Sequence, residues 1–374
     1  MPRLSTRVTV ARAKQLLAAF LAVLVALGAA GALGWPDVRA DASLPALRQE
    51  AHHPQATVQP LTMFGNEYTG LRKPKNPHIL AYDTDWVASD LPKSAGWKNV
   101  QSTIASAVAD GGWCVLAHPT FQWGDTDSQV VSKIARLNGY AGIEVFNGRS
   151  IRGGSDAEPI WDALLDLSAD KHVWGYGNDD FHGPKDLGVS YNVALASERS
   201  VTSIRHALKT GNSYVVTGSR TLRIESIRVE GSRIRAETNE GTQIEFLNAK
   251  GILGTSWGKN GDYDCTGTEG YVRVRVVGAT VDERAYSQPI AVAPGPTLSS
   301  PYIFERRVPC KANMHAHTTI SDARIGNTPA VVSRLYAQAG YDLLAITDHD
   351  WLSKRPVTKG PTVAGRKLPF LTRE

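Results

Sequence analysis

Residues 311–350, KANMHAHTTISDARIGNTPAVVSRLYAQAGYDLLAITDHD, decide how the chain is read. They divide into an apolar strand, a polar loop, a helix and a second apolar strand, and residues able to hold a metal ion fall where each strand ends. Side chains two apart on a strand point to the same side, so His315 and His317 of H-A-H can present two imidazoles to one ion. Asp322, in the loop, offers a carboxylate, and His349 of T-D-H ends the second strand. Imidazole and carboxylate together suit zinc, iron or manganese.

Two strands and a helix cannot bury a core of their own, so residues 311–374 must dock on an earlier part of the chain or on another chain. At 374 residues, with 42% hydrophobic and 21% charged content, the protein has room for more than one domain and the composition of a folded rather than a disordered chain.

The first 42 residues stand apart. Arg3, Arg7, Arg12 and Lys14 precede the uncharged run Leu16 to Gly34, and small residues follow at Ala40 and Ala42. This is the pattern of an export signal, although the run is also long enough for an uncleaved membrane anchor. Either places the mature protein outside the cytoplasm, secreted or tethered. More than half of the formal charge of +5 lies in this leader, so the basic balance gives no reason to expect a nucleic-acid partner. Of the three cysteines, Cys265 and Cys310 are candidates to pair in an oxidising compartment, whereas Cys114 sits in the apolar strand WCVLA as a small hydrophobe.

Residues 43–60 form a polar, proline-containing spacer carrying His52 and His53. Next come Glu67 in G-N-E and His78 at the head of a strand. From Trp97 onward, amphipathic helices alternate with short apolar strands: Val100–Ala109 leads into WCVLAHP, Ser128–Leu137 into AGIEVFNG, Pro159–Ala169 into HVWGYGNDDFHG, and Val201–Thr210 into SYVVTG. Glycines mark the helix stops, and such alternation predicts a parallel sheet or barrel. His118, Glu144, Asn147, Asp180 and His182 lie at or just past the strand ends, where a barrel gathers its reacting groups. Histidines 172 and 206, which begin a strand and sit in a helix, read as structural.

Between Arg220 and Pro294 the helices stop and strands alone follow, with a hairpin at Gly231-Ser232. This predicts a small sandwich, with Arg223, Arg228, Arg233, Arg235, Arg273 and Arg275 at alternate positions on a solvated face. Residues 295–310 read as a linker.

Taken together, these motifs resemble the PHP (polymerase and histidinol phosphatase) family of metal-dependent phosphoesterases, in particular a branch that carries a β-domain and includes carbamate and carboxyl-ester hydrolases. That family presents H-x-H with a nearby S-D, then T-D-H, G-x-E, a histidine, A-H-P and D-x-H. All are present here in a rotated order, with G-N-E, His78, A-H-P and D-F-H first and H-A-H, S-D and T-D-H last. The resemblance implies an α/β fold, a distorted (β/α)7 barrel that is circularly permuted. Residues 61–219 would supply its second part and 311–374 its first, with an inserted all-β sandwich at 220–294. Permutation is tolerated where domain termini are close and exposed.

The resemblance also implies two or three divalent ions (manganese, zinc or iron). His315, His317, Glu67 and Asp180 would hold one, Asp322, His349 and His182 a second, and His78 and His118 with bridging Glu67 a third. Asp180, His182 and Glu67 would also serve catalysis. Arg324, Arg149 and Asn147 are candidates for gripping substrate oxygens. The implied reaction is hydrolysis of a small phosphate mono- or diester by metal-activated hydroxide. The alternatives are a carboxyl or carbamate ester at the same site, or a non-catalytic binding protein. The sequence leaves the oligomeric state open, including whether the two halves meet within one chain.

Overall fold

The computed structural model describes residues 60–68, 77–84, 97–120, 125–149, 156–167 and 173–350, all within one compact unit. The leader, the spacer with His52 and His53, His172 and residues 351–374 lie outside them. No helix among the described residues is long and apolar enough to cross a membrane.

The chain enters through β1 (Leu61–Tyr68), which pairs antiparallel with β2 (His78–Tyr82). Helix α1 (Trp97–Ala109) leads to β3 (Trp113–Ala117), α2 (Asp127–Ile134) to β4 (Tyr140–Asn147), and α3 (Glu158–Leu167) to β5 (Trp174–Asn178). Strands β3, β4 and β5 are parallel, as helical crossovers require. In α2 the apolar positions fall on one face and bury Val130, Val131 and Ile134, while Thr126 and Gln129 form a capping box at its start. Two more strands, β6 (Ser190–Ala196) and β7 (Ser213–Thr217), flank helix α4 (Val201–Lys209).

Near the end, β17 (Val308–Asn313) and β18 (Leu343–Ile346) are parallel and enclose α5 (Pro329–Gln338). The Thr328 hydroxyl accepts from the Val331 amide, and Pro329 takes the first helical position, where its missing N–H costs nothing. Strand β18 then pairs parallel with β1, matching Leu343 with Leu61, and β17 pairs antiparallel with β6. The C-terminal stretch is thus the centre of the sheet rather than an appendage, because its two strands insert between β6 and β1.

From β7 the same sheet continues without a break. Strand β14 (Arg284–Ser287) pairs with β7, β13 (Gly270–Val277) with β14, β10 (Gln243–Asn248) with β13, and β11 (Gly251–Trp257) forms the end. Strands β15 (Ile290–Ala293) and β16 (Thr297–Ser299) extend from β13. A separate three-stranded sheet orders β12 (Asn260–Asp264), β9 (Arg233–Thr238) and β8 (Ile224–Glu230). Its Ile227, Ile234 and Ala236 share one core with Ile244, Phe246 and Val274 of the large sheet.

The expected (β/α)7 barrel with an inserted sandwich is therefore not formed. Of the described residues 41% are strand and 21% helix, with five α-helices, mixed sheets and no closed barrel. Helix–strand alternation fixes neither strand direction nor closure. Helix α4 shows why: β6 and β7 are antiparallel, so it joins an antiparallel pair rather than crossing over between parallel strands. Its Ile204 and Leu208 pack with Tyr176, Trp113 and Met63, and the Tyr176 hydroxyl donates to the Leu208 carbonyl.

Two further expectations change. Arg273 is not on a solvated face: it is fully buried, stacks on Trp161 and pairs with Asp162 and Glu158 of α3. Arg275 also reaches Glu158. Period-two alternation identifies a face without telling whether another element covers it, and α3 covers this one. Arg223, Arg228 and Arg235 are exposed as expected and pair with surface carboxylates. Cys265 and Cys310 are both free and buried in different cores, which separates them.

Candidate metal centre

Strand β5 has no backbone ladder to β6, and the polar side chains of this seam join the two stretches that carry the candidate ligands. Gly177 N–H donates to Asn192 Oδ1, and Asn192 Nδ2 donates back to the Gly177 carbonyl, so an asparagine on β6 takes the part of a neighbouring strand. Beyond the strand end, the Asp179 amide donates to Asn313 Oδ1. The Phe181 and His317 amides then exchange bonds with the His315 and Phe181 carbonyls, a short parallel bridge. These bonds set Asp180 and His182 against His315 and His317.

All nine candidate ligands converge. Glu67, near the end of β1, is the hub. Its Oε1 lies 2.6 Å from His78 Nδ1 and 3.2 Å from His118 Nε2. Its Oε2 lies 2.9 Å from His349 Nδ1, 3.1 Å from His317 Nε2 and 3.3 Å from His315 Nε2. Asp180 Oδ1 sits 3.2 Å from His317 Nε2 and 3.4 Å from His315 Nε2. Asp322 faces His182 at 3.1 Å and His349 at 3.4 Å.

Four groups within this cluster each hold their ligand atoms within 4.8 Å of one another: Glu67, His78 and His118; Glu67, His315 and His317; His118, Asp180 and His315; and His182, His317, Asp322 and His349. This differs from the expected partition in two places. Asp180 groups with His118 and His315, and His317 joins the Asp322 group, because its two ring nitrogens face opposite ways, Nε2 to Glu67 and Nδ1 to Asp322.

The burial of these groups argues that they can hold a metal ion. Glu67, Asp180, His118, His315 and His317 are buried, whereas the Asp322 side chain is 49% exposed and that of His349 25%. Glu67 Oε2, Asp180 Oδ1 and His349 Nδ1 are buried without any hydrogen bond. Glu67 Oε2 and His349 Nδ1 are close, yet they do not meet in bonding geometry. Buried polar atoms are normally satisfied, and several converging orphans with nitrogen and oxygen lone pairs fit a hard or borderline cation. His118 and Asp180 also carry positive φ, 28° and 50°, a conformation that costs on the order of 1 kcal/mol outside glycine.

Electrostatics point the same way. Burial pushes the Glu67 carboxyl up, but His315, His78 and His349 outweigh it and hold the group well below the carboxylate range. Asp180 and Asp322 are likewise lowered against their burial by the histidines they face. Burial disfavours the charged form of His315, yet Glu144, Asp180 and Glu67 draw its pKa well above the usual value. Without a cation the carboxylates are neutralised by imidazolium protons, and a divalent ion would displace those protons. No family model, no curated protein and no solved structure matches the chain.

The three candidate substrate residues are members of none of the four ligand groups. Asn147 is buried, donating to Glu144 Oε2 and accepting from the Arg149 amide, so it is committed to the scaffold. Arg149 and Arg324 are exposed, and their guanidinium groups have no partner among the described residues. The Arg324 amide donates to the His182 carbonyl, and its side chain lies over Gly183, where a Cβ would meet Cδ at 3.3 Å.

Sequence reading did not find the residues that hold the ligand loops. Asp179 accepts from the amides of Gly188, Val189 and Ser190 and from the Tyr336 hydroxyl, tying the Asp180 loop to α5. Asp348 accepts from Thr318 and Ser321 and braces the Asp322 loop. Each is next to a ligand, so the doublets D-D and D-H were the available clue.

Proposed function

We propose that the chain is an exported, metal-dependent phosphoesterase related to the PHP family, which hydrolyses a small phosphate mono- or diester. The observation that carries this reading is the convergence of nine histidine, aspartate and glutamate side chains around buried carboxylate oxygens without hydrogen bonds. Two or three divalent ions, of manganese, zinc or iron, would be held by Glu67, His78, His118, Asp180, His182, His315, His317, Asp322 and His349. When bound, such ions supply an activated water near neutral pH and neutralise charge on the ester oxygen.

The protein's own residues divide the remaining work. Glu67 and Asp180, both buried, fix the imidazoles and concentrate negative charge where cations bind. His182 and His349 reach the open side with Asp322, where His182 Nε2, 3.1 Å from Asp322, belongs to the ligand group nearest solvent. Arg324 beside His182 and Arg149 beyond β4 are uncommitted cations at the same end of the sheet, which favours an anionic ester over a neutral one. The test is a panel of aryl phosphates and aryl carboxyl esters with manganese, zinc and iron. Turnover of the carboxyl esters alone would overturn the phosphoesterase reading, and binding of metal without turnover of either would favour a non-catalytic binding protein.

A further inference from the structure

Glu144, on β4, belongs to none of the four ligand groups, yet it is buried with four donors around its carboxylate. His315 Nδ1 lies 2.8 Å from Oε1, and Asn178 Nδ2 donates to the same oxygen at 2.8 Å. The His118 amide and Asn147 Nδ2 donate to Oε2, each at 2.9 Å. With both oxygens accepting twice, the carboxylate has no lone pair free to face a cation.

We propose that Glu144 is a positioning residue that accepts a hydrogen bond from His315 Nδ1–H, so that Nε2 is the nitrogen presented to Glu67 and Asp180, while the same carboxylate anchors the strained backbone of His118. Glu144 thereby locks together ligands from opposite ends of the chain, His118 after β3 and His315 after β17. The Asn178 amide strengthens the link, because its Oδ1 accepts from the Met314 amide next to His315. Fixing the far ring nitrogen of a ligating histidine sets both its tautomer and its orientation, and loss of such a partner weakens metal binding about 10- to 100-fold.

Glutamine is the informative replacement. All four groups around the carboxylate are donors, so the amide NH2 of Glu144→Gln must face two of them. The change keeps the volume and replaces one of the two acceptor oxygens with a donor. This inference rests on the metal-centre reading, and the experiment separates the two. Zinc-loaded wild-type protein is examined by nitrogen-15 NMR of its histidine rings, and zinc affinity is measured for Glu144→Gln, His315→Ala and the double variant. We expect His315 to carry a slowly exchanging proton on Nδ1 and zinc on Nε2. We also expect Glu144→Gln to bind zinc about 10- to 100-fold more weakly, with little further loss on the His315→Ala background. Zinc on Nδ1 of His315, or an affinity of Glu144→Gln within threefold of wild type, would overturn the role of Glu144. If Glu144→Gln does not fold, the wild-type ring spectrum alone decides. Failure of the wild-type protein to bind zinc, manganese or iron would instead refute the metal centre and this inference with it.

Discussion

Changing Glu67 to glutamine is the most informative single perturbation of the ligand cluster. One carboxylate faces five imidazoles, at distances from 2.6 to 3.3 Å, and takes part in two of the four ligand groups. The group made by His182, His317, Asp322 and His349 does not contain it. Glu67→Gln should therefore lose metal selectively. The groups built on His78 with His118 and on His315 with His317 should weaken by at least about 100-fold, the upper end for losing a mere supporting partner, while the Asp322 group keeps its ion. In the metal-free protein, removing one member of a buried charge cluster should cost about 3–5 kcal/mol. The assay is metal content by mass spectrometry after dialysis against micromolar free manganese or zinc, with denaturant unfolding of the stripped protein. Wild-type stoichiometry and affinity in Glu67→Gln would refute the assignment of Glu67 as the hub.

Asp322→Asn should remove the Asp322-group ion but change unfolding of the metal-free protein by less than about 1 kcal/mol, because the side chain is half exposed; metal titration and chemical denaturation check both parts. Burial lowers the pKa of His349, but Glu67 and Asp322 carry it from 6.5 to about 10. Its contribution to the metal-free fold should thus be complete below pH 6.5 and be lost as pH rises through about 10. Metal affinity should move oppositely, rising with pH over that window as protons cease to compete, which calorimetry in buffers of different ionisation enthalpy would register as proton release. Arg273→Met should destabilise by about 3 kcal/mol, because Asp162 is left without its cation, whereas Arg223→Ala should cost under about 1 kcal/mol. Neither change should alter metal content.

The candidate site was far more legible than the fold. Ligand placement depends on local features, the period-two geometry of H-A-H and D-F-H and the ends of apolar strands, and these survive whatever the strands pair with. Strand direction does not. The alternation of α4 with its neighbours looked like a crossover and turned out to be a helix within an antiparallel pair. Strand β6, S-Y-N-V-A-L-A, escaped because it follows the D-F-H loop with only a short 3-10 turn (Pro184–Asp186) and no α-helix between, and so had no place in an alternating scheme. Its Asn192 was decisive for the seam, yet an asparagine in an apolar run announces only a buried polar group needing a partner. Arg273 was misplaced for a related reason: its partners Glu158 and Asp162 are more than a hundred residues away in sequence, and only tertiary packing brings α3 over β13.

The central claim is that ligands from both ends of one chain form a single metal centre. Metal analysis of the purified protein, with sedimentation on the same sample, tests it most directly. A monomer carrying at least two divalent ions is the predicted result, with both stretches contributing because β17 and β18 insert between β6 and β1 of the same chain. Fewer than one ion per chain after reconstitution with manganese, zinc or iron would contradict the claim.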